Sequence, residues 1–581
     1  MAHSFDTYKV ELIDRAYLRN DGFTTPRTAR IQLFDVRGKV IVEYALAAPI
    51  IPEIYEAIGR GETVNLDECY LHGFSLTACR RFLIQDKNTV VKINGFSARN
   101  AVFETAFNID LSYGEFNTDT FTVDGAIFIG KELTLHSSTF NTNGISFSNC
   151  YIKVDRFDMV KTKFNDGEVN FKNTIFDIGV KDFQDADFGN GDTNFTNTEF
   201  GNGDVSFINS RFNDGDVSFK VARFGQGKVD FHYAKFGKGN ISFEQTEFGN
   251  GRTDFRTVEF GTGRTSFNRC VFGDGEVTFE GAEALSGKVS LKRATFGNAN
   301  VNFDLYQGKD SELIFERSTF PADVSFKGSI LKGLHLDECQ FNSTFNLHVD
   351  TCEQIDLTGC TFRDIVEFYT HGEPPKVKIL NLTGMRLLGI LYLDWEINNI
   401  KKLIYNQTDT SLRQKAEQFR ILKQNFNNSG QYDDEDKAYI EFKRNEAKAI
   451  LTESIHKKKF SALWQLPSYG FKKFVFDWMG LYATSPLRVV LSNVVMIFFF
   501  AFIYTILPYF ANTHLTTINP EDTFFTKFWV GAYYTGITYF TVGYGEIVPV
   551  GILRLVADIT AFIGVFMMSY FTVAFVRKIL R

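Results

Sequence analysis

The chain has 581 residues, a formal net charge of −7, 44% hydrophobic and 23% charged residues. Charge and apolar content in the globular range exclude wholesale disorder, and the mild acidity argues against nucleic acid as a partner. At roughly one domain per 150 residues, about four domains are expected. Phe, at 63, outnumbers Gly at 46, so something repeats Phe, and seven Cys do not form the even set of a disulfide framework. The start, MAHSFDTYKVELIDR, has no apolar run of the secretory type.

After an N-terminal cap region (1–62), residues 63–395 carry two Phe ladders. One runs from Phe164 through Phe176, Phe188, Phe200 and Phe212 to Phe272 with a spacing of 12; the other, offset by 7, runs from Phe171 through Phe183, Phe195 and Phe207 to Phe279. They extend back through Phe140 and Phe147, with Ile152 and Met159 as apolar replacements, and forward through Leu291, Phe296 and Phe303; Ala284 is a break. The unit V-x-F-x-x-x-x-F-G-x-G-x fits neither helical period, and its glycines break helices. Short strands and turns stacked coil on coil, with Phe on Phe, fit it.

Steps of five, as at Leu66/Leu71 and Phe207/Phe212, resemble the pentapeptide-repeat family, whose central apolar residue points inward together with a small residue two positions earlier. Cys69, Cys150, Cys270, Cys339 and Cys360 occupy that small position and are expected to be buried and inert. The resemblance implies a right-handed, four-sided parallel β-helix. With alternate steps lengthened to seven, four sides take 24 residues, and the rod would be roughly 65 Å long. A calcium-binding roll is not expected: the residue after Gly-x-Gly runs Asp192, Asp204, Asp216, Lys228, Asn240, Arg252, Arg264, Glu276, and Arg is no calcium ligand.

Residues 396–484 form a helical linker. Leu412, Phe419, Leu422 and Phe426 have helical spacing; NNSGQYDDED is a turn with Asp433 or Asp434 as N-cap; Ala438, Tyr439 and Phe442 mark a second helix to about Ile450. The pair resembles the hairpin that follows pentapeptide repeats in some bacterial membrane proteins. Lys457, Lys458 and Lys459 then lead into Trp464, Tyr469, Phe471, Phe474, Phe476 and Trp478, the pattern of a helix lying on a membrane surface; packing on the solenoid end is the alternative.

Residues 485–581 hold the lipid-grade sequence. Val489–Leu507, preceded by Pro486, and Leu555–Val576, with one acid at Asp558, are long enough to span a bilayer. Lys472, Lys473 and Arg488 before the first span, and Arg577, Lys578 and Arg581 after the second, place both termini in the cytoplasm of a cell-membrane protein. Between the spans lies FFTKFWVGAYYTGITYFTVGYGEIVP. Its TVGYG, correctly placed between two spans, resembles the selectivity filter of two-transmembrane potassium channels.

The resemblance implies a homotetramer in the lipid bilayer. K+ would be held by carbonyls and the Thr hydroxyl at Thr541, Val542, Gly543 and Tyr544, with Gly545 closing the motif. Tyr534 and Thr538 match filter-supporting positions. Phe540 replaces a common Thr, Glu546 a common Asp, and Ile537 the buried Glu of some members, so a carboxyl pair behind the filter is missing. Gly564 matches a gating hinge, with a packing glycine as the alternative. Asp558 is expected to be hydrogen-bonded behind the pore rather than to charge the cavity. No voltage sensor, P-loop, dinucleotide fingerprint, zinc spacing or nucleophile elbow is present, so neither an enzyme nor an organic cofactor is expected. The expected function is passive K+ conduction, regulated by an unknown ligand or protein at the β-helix; the alternatives are a non-selective cation channel and a membrane-anchored interaction scaffold.

Overall fold

The computed structural model describes residues 4–86, 89–368, 375–457 and 459–580. It divides into two compact units, Met1–Gln407 and Thr408–Arg581.

The first unit opens with an antiparallel sheet of Thr7–Ile13, Thr28–Phe34 and Val40–Ala47. Alternation in the middle strand turns Ala29, Ile31 and Leu33 inward, onto Tyr70, Val102, Ile127 and Tyr151 on the flank of the solenoid. Two short helices, α1 (Ile51–Gly59) and α2 (Leu76–Phe82), accompany the first coils.

From Val64 the chain winds into parallel coils. Around each coil pairing occurs at four points, shown by Thr193↔Val217, Glu199↔Arg223, Val205↔Val229 and Arg211↔Lys235, where each residue meets the one a full coil further along the chain. The same sequence offset of 24 separates Asn190 from Asp166, whose side chains bond across adjacent coils. The coil is therefore four-sided, with the length expected from two 5-plus-7 steps. Beyond Val301 the step shortens to 23 (Val301↔Val324) and then 21 (Ile330↔Thr351). One face stacks fourteen strands, from Val64–Asn65 to Lys376–Asn381. Helix α3 (Ile400–Tyr405) follows the last coil, where Gln407 and Asn406 donate to the carbonyls of Leu380 and Lys378.

Four Phe columns fill the lumen. Rings of one column lie nearly parallel, 4.5 Å apart for Phe200–Phe224 and 4.9 Å for Phe219–Phe243, while rings on facing walls meet edge to face, as in Phe207–Phe219 at 5.5 Å. Stacked and T-shaped pairs are both favoured by the ring quadrupole. At the Ala284 break the next residue of the column, Gly308, lies against the ring of buried Tyr306, so a tyrosine from the neighbouring position occupies the gap.

Several of the Thr, Ser and Cys residues that stand two before a column Phe have a second task. Thr198, Ser210 and Thr246 donate to the carbonyls of Phe171, Phe183 and Phe219, one coil away, at 2.7–2.8 Å. Cys270 does the same to Phe243 at 2.8 Å, and Cys150 to Val123. All seven cysteines are free and buried. Burial pushes the Cys69 and Cys352 thiols up to about 12 and those of Cys150 and Cys270 well above the ordinary range. Asp192 and Asp216, considered above as calcium ligands, accept the backbone N–H groups of Asp216 and Asn240 on the next coil.

The second unit begins with a helical hairpin. Helix α4 (Leu412–Asn428) starts with a capping box between Ser411 and Gln414 and buries Phe419, Leu422 and Phe426. Helix α5 (Tyr432–Lys457) differs from expectation at both ends. Asp433 and Asp434 lie in its first turn rather than at its N-cap, where they still favour the helix dipole; and no Gly or Pro stands between Ile450 and Lys457, so the helix continues to Lys457. Helix α6 (Lys459–Phe471) runs into a π-helix, Lys472–Trp478, whose Phe474 and Trp478 are exposed together with Phe471. Lys458 and Arg581 lie outside the described residues, as do the side chains of Lys457, Lys459 and Trp464. Among the described residues two helices are long and apolar enough to cross a membrane: α7 (Pro486–Ile506), with Ser485 as N-cap, and α9 (Leu553–Ile579), with α8 (Phe524–Tyr539) between them.

Two outcomes follow. Phe219→Ala empties a fully buried site and costs about 3–5 kcal/mol, while the same change at exposed Phe107 costs under about 0.5 kcal/mol; local hydrogen exchange in the coils measures both. Because raised thiol pKa values keep Cys69, Cys150, Cys270 and Cys352 protonated, a maleimide at pH 8 labels them only after unfolding.

Candidate functional site

Helix α8 has 16 residues, about 24 Å at the helical rise, too short to cross a bilayer, and it ends against the two long helices. Tyr534, Ile537, Phe500, Tyr504 and Leu553 form one buried cluster, with the rings of Tyr504 and Tyr534 edge to face at 5.0 Å. Gly531 lets α8 approach α7: a Cβ there would lie 3.1 Å from the Ala501 carbonyl.

After Phe540 at the C-cap the chain turns back as Thr541–Gly545. The Ile537 carbonyl accepts the N–H groups of Val542 at 2.8 Å and Gly543 at 3.2 Å, and Thr538 accepts that of Thr541. Positive φ occurs at Thr541 (56°), Gly543 (57°) and Gly545 (81°), but not at Val542 or Tyr544. An alternating handedness turns successive carbonyls to one side of the strand, a conformation that costs Gly little and Thr more. The returning strand is stapled on its far side. His514–Leu515 pairs with Pro549–Val550, Thr516 exchanges hydrogen bonds with Val548, and Thr513 donates to the Val550 carbonyl while accepting the Leu553 N–H.

Thr541 to Glu546 are all exposed in the single chain, Tyr544 to 67%. Ile537 is buried in the apolar cluster, and Glu546 is exposed without an ion pair among the described residues. Thr538 neighbours the Tyr534 hydroxyl. Asp558 departs from expectation: it is exposed and makes no side-chain hydrogen bond within the chain among the described residues, although it lies near Tyr534 and Tyr504. At Gly564 the packing alternative has a direct reason, because a Cβ would sit 2.0 Å from the carbonyl oxygen of Tyr539.

Sequence reasoning missed Tyr539 and Asn493. Tyr539, fully buried, donates its hydroxyl to Asn493 Oδ1 on α7 at 2.7 Å. The available signal was Asn493, an amide among the few polar residues of the α7 span.

The C-terminal end of α9 carries a second constellation. Tyr570 Oη accepts the Ala483 N–H at 2.9 Å and donates to the Phe476 carbonyl at 3.2 Å. The segment it holds is strained: Leu481, Tyr482 and Ala483 all have positive φ, at 47°, 59° and 62°. About two turns further, Arg577 pairs with Asp436 at 2.9 Å and lies over the Tyr439 ring, and Lys578 pairs with Asp433 at 2.9 Å, so the acidic start of α5 grips the end of α9. Arg444 on α5 binds Asp477 of the π-helix through two nitrogens.

Gly564→Ala forces the α8 terminus away from α9 and costs about 1–3 kcal/mol, read as a lower melting temperature in detergent; Ala at exposed Phe562 leaves it unchanged.

No curated protein and no solved structure matches the chain. Residues 492–581 match the family described as ion channel, a stretch that takes in most of α7, all of α8, the TVGYG turn and α9. This stretch of the chain is similar to an ion-channel domain, and its helices α7 and α9 are long and apolar enough to cross a membrane.

Proposed function

We propose that four copies of this chain form a potassium-selective pore that passes K+ passively down its gradient. The observation that carries the reading is the alternation of φ along Thr541–Gly545, in a TVGYG sequence between two membrane helices. Carbonyls of Thr541, Val542, Gly543 and Tyr544 on one side of the strand would replace the water shell of the ion. A single strand offers only part of that shell, and its exposed residues need partners. Four strands around one axis supply both.

Basic residues flank the spans on their outer sequence sides, at Lys472, Lys473 and Arg488 and at Arg577 and Lys578, which supports cytoplasmic termini. The β-helix then lies in the cytoplasm as the regulatory domain, for a ligand or protein partner of unknown identity. Its last coil continues through α3 into α4, and the hairpin partner α5 grips α9 through Asp433, Asp436 and Tyr439. A displacement of the hairpin is thereby delivered to the end of a pore-forming helix. We assign no catalysis and no organic cofactor.

The test is the reversal potential of the full-length protein in planar bilayers with K+ on one side and Na+ on the other. The expected value is near the K+ equilibrium potential, with current lost in Gly543→Ala. A value near zero would make this a non-selective cation pore. Deleting residues 1–400 should change open probability; an unchanged open probability under every condition tried would reduce the β-helix to an interaction scaffold.

A further inference from the structure

In potassium-channel filters of the kind this sequence resembles, a carboxyl pair can brace the filter from behind. Here Ile537 is apolar and Glu546 has no ion pair among the described residues, so another contact must set the position of the filter. Its origin is fixed by the last turn of α8: the Ile537 carbonyl accepts both the Val542 and the Gly543 N–H. Whatever holds that turn therefore holds the first two carbonyls of the filter.

Tyr539 holds it on two sides. Its backbone carbonyl rests on Gly564 of α9 with no room for a Cβ, and its hydroxyl reaches α7 to bond Asn493 Oδ1 at 2.7 Å. Tyr539 is fully buried and Asn493 is 7% exposed. Val489, Met567 and Tyr570 pack in the same apolar cluster as Tyr539. An amide buried in a membrane span is costly without a partner, and a hydrogen bond formed away from water is firmly directional. The pair thus ties the root of the filter to the outer of the two long helices, at a point where neither ring nor amide has another reason to be polar.

We propose that Tyr539 and Asn493 are a filter-positioning pair, which takes the place of the missing carboxyl brace and keeps the filter in its conducting, selective shape. The inference rests on the potassium-channel reading above. The two residues act through the backbone of Ile537–Phe540 and touch no ion themselves. Tyr539→Phe removes one oxygen and keeps the ring; Asn493→Leu removes the amide at nearly constant volume; Asn493→Asp keeps an acceptor oxygen at the same reach.

The experiment compares full-length wild type, the three single variants and the Tyr539→Phe/Asn493→Leu double variant in bilayers, and measures current decay in low K+ together with the reversal potential against Na+. Tyr539→Phe and Asn493→Leu should each speed the decay by about tenfold, the effect of one lost buried hydrogen bond, and shift the reversal potential toward zero. The double variant should be no worse than either single one, because both remove the same bond. Asn493→Asp should stay near wild type, and raised K+ should slow the decay by propping the filter open. A pair that only glued helices together would lower the melting temperature of the tetramer and leave decay and selectivity alone, which would overturn the proposal. So would additive effects in the double variant. Should Asn493→Leu fail to assemble, Tyr539→Phe decides. A wild-type reversal potential near zero sinks the potassium reading, whereas a selective wild type with an unaltered Tyr539→Phe sinks the positioning pair alone.

Discussion

Backbone N–H and C=O groups must find partners once water is excluded, and both units of this chain are organised by that demand. In the solenoid each coil serves the next: Val205 N–H donates to Lys228, and Val229 N–H to Arg252, at 2.8 and 2.9 Å. Carbonyls at the corners are met by Thr, Ser or Cys side chains from the coil above. The pore loop answers the same demand only in part. Its first amides fold back onto Ile537, while within one chain the residues Thr541 to Glu546 stay exposed.

The two long helices meet the rest of their unit at two depths with different mechanics. Near the Thr541–Gly545 turn the contacts are tight and unstrained: Gly531 of α8 against α7, Gly564 under Tyr539, and the hydroxyl of Tyr504 beside that of Thr560. At the far end of α9 they are tight and strained. Three consecutive left-handed residues, Leu481 to Ala483, cost on the order of 1–2 kcal/mol each. They are offset there by the Tyr570 hydroxyl and by the Arg444–Asp477 bridge. A joint of this kind has a lower-energy alternative as soon as its clasp is withdrawn, which suits an element whose work is to change state.

Much of the solenoid was legible because its signal is a count. Two Phe ladders of equal period, one offset from the other, leave a four-sided coil of two periods as the smallest figure with enough walls, and the register agrees. The helix α4 and the two spans were equally open to periodicity and hydropathy. Two kinds of feature were not. The ends of α5 depended on where no breaker occurs, and the turns are not written in glycine alone: left-handed backbone recurs in every half coil at positions such as Asn197, Asn209, Val221 and Tyr233. Stacking between coils imposes that conformation against local preference. In the C-terminal domain the TVGYG residues could be named in advance, whereas Tyr539 and Asn493 belong to no motif, stand 46 positions apart and meet only in the fold.

The Gly-x-Gly corner has a different meaning from the one its sequence suggests. A Cβ on Gly225 would fall 2.0 Å from the carbonyl of Gly201, and on Gly249 1.7 Å from that of Gly225, so the coils touch there backbone to backbone. Along that edge the glycines leave a seam of peptide planes, and the residue between them, as Asn202, Gln226 and Asn250, carries the side chain that bonds the next coil. Mutation of these glycines has no room, and any specificity the rod acquires toward a partner has to be written on the side chains between and beside them, where Asp, Lys, Arg, Glu and Asn already alternate from coil to coil.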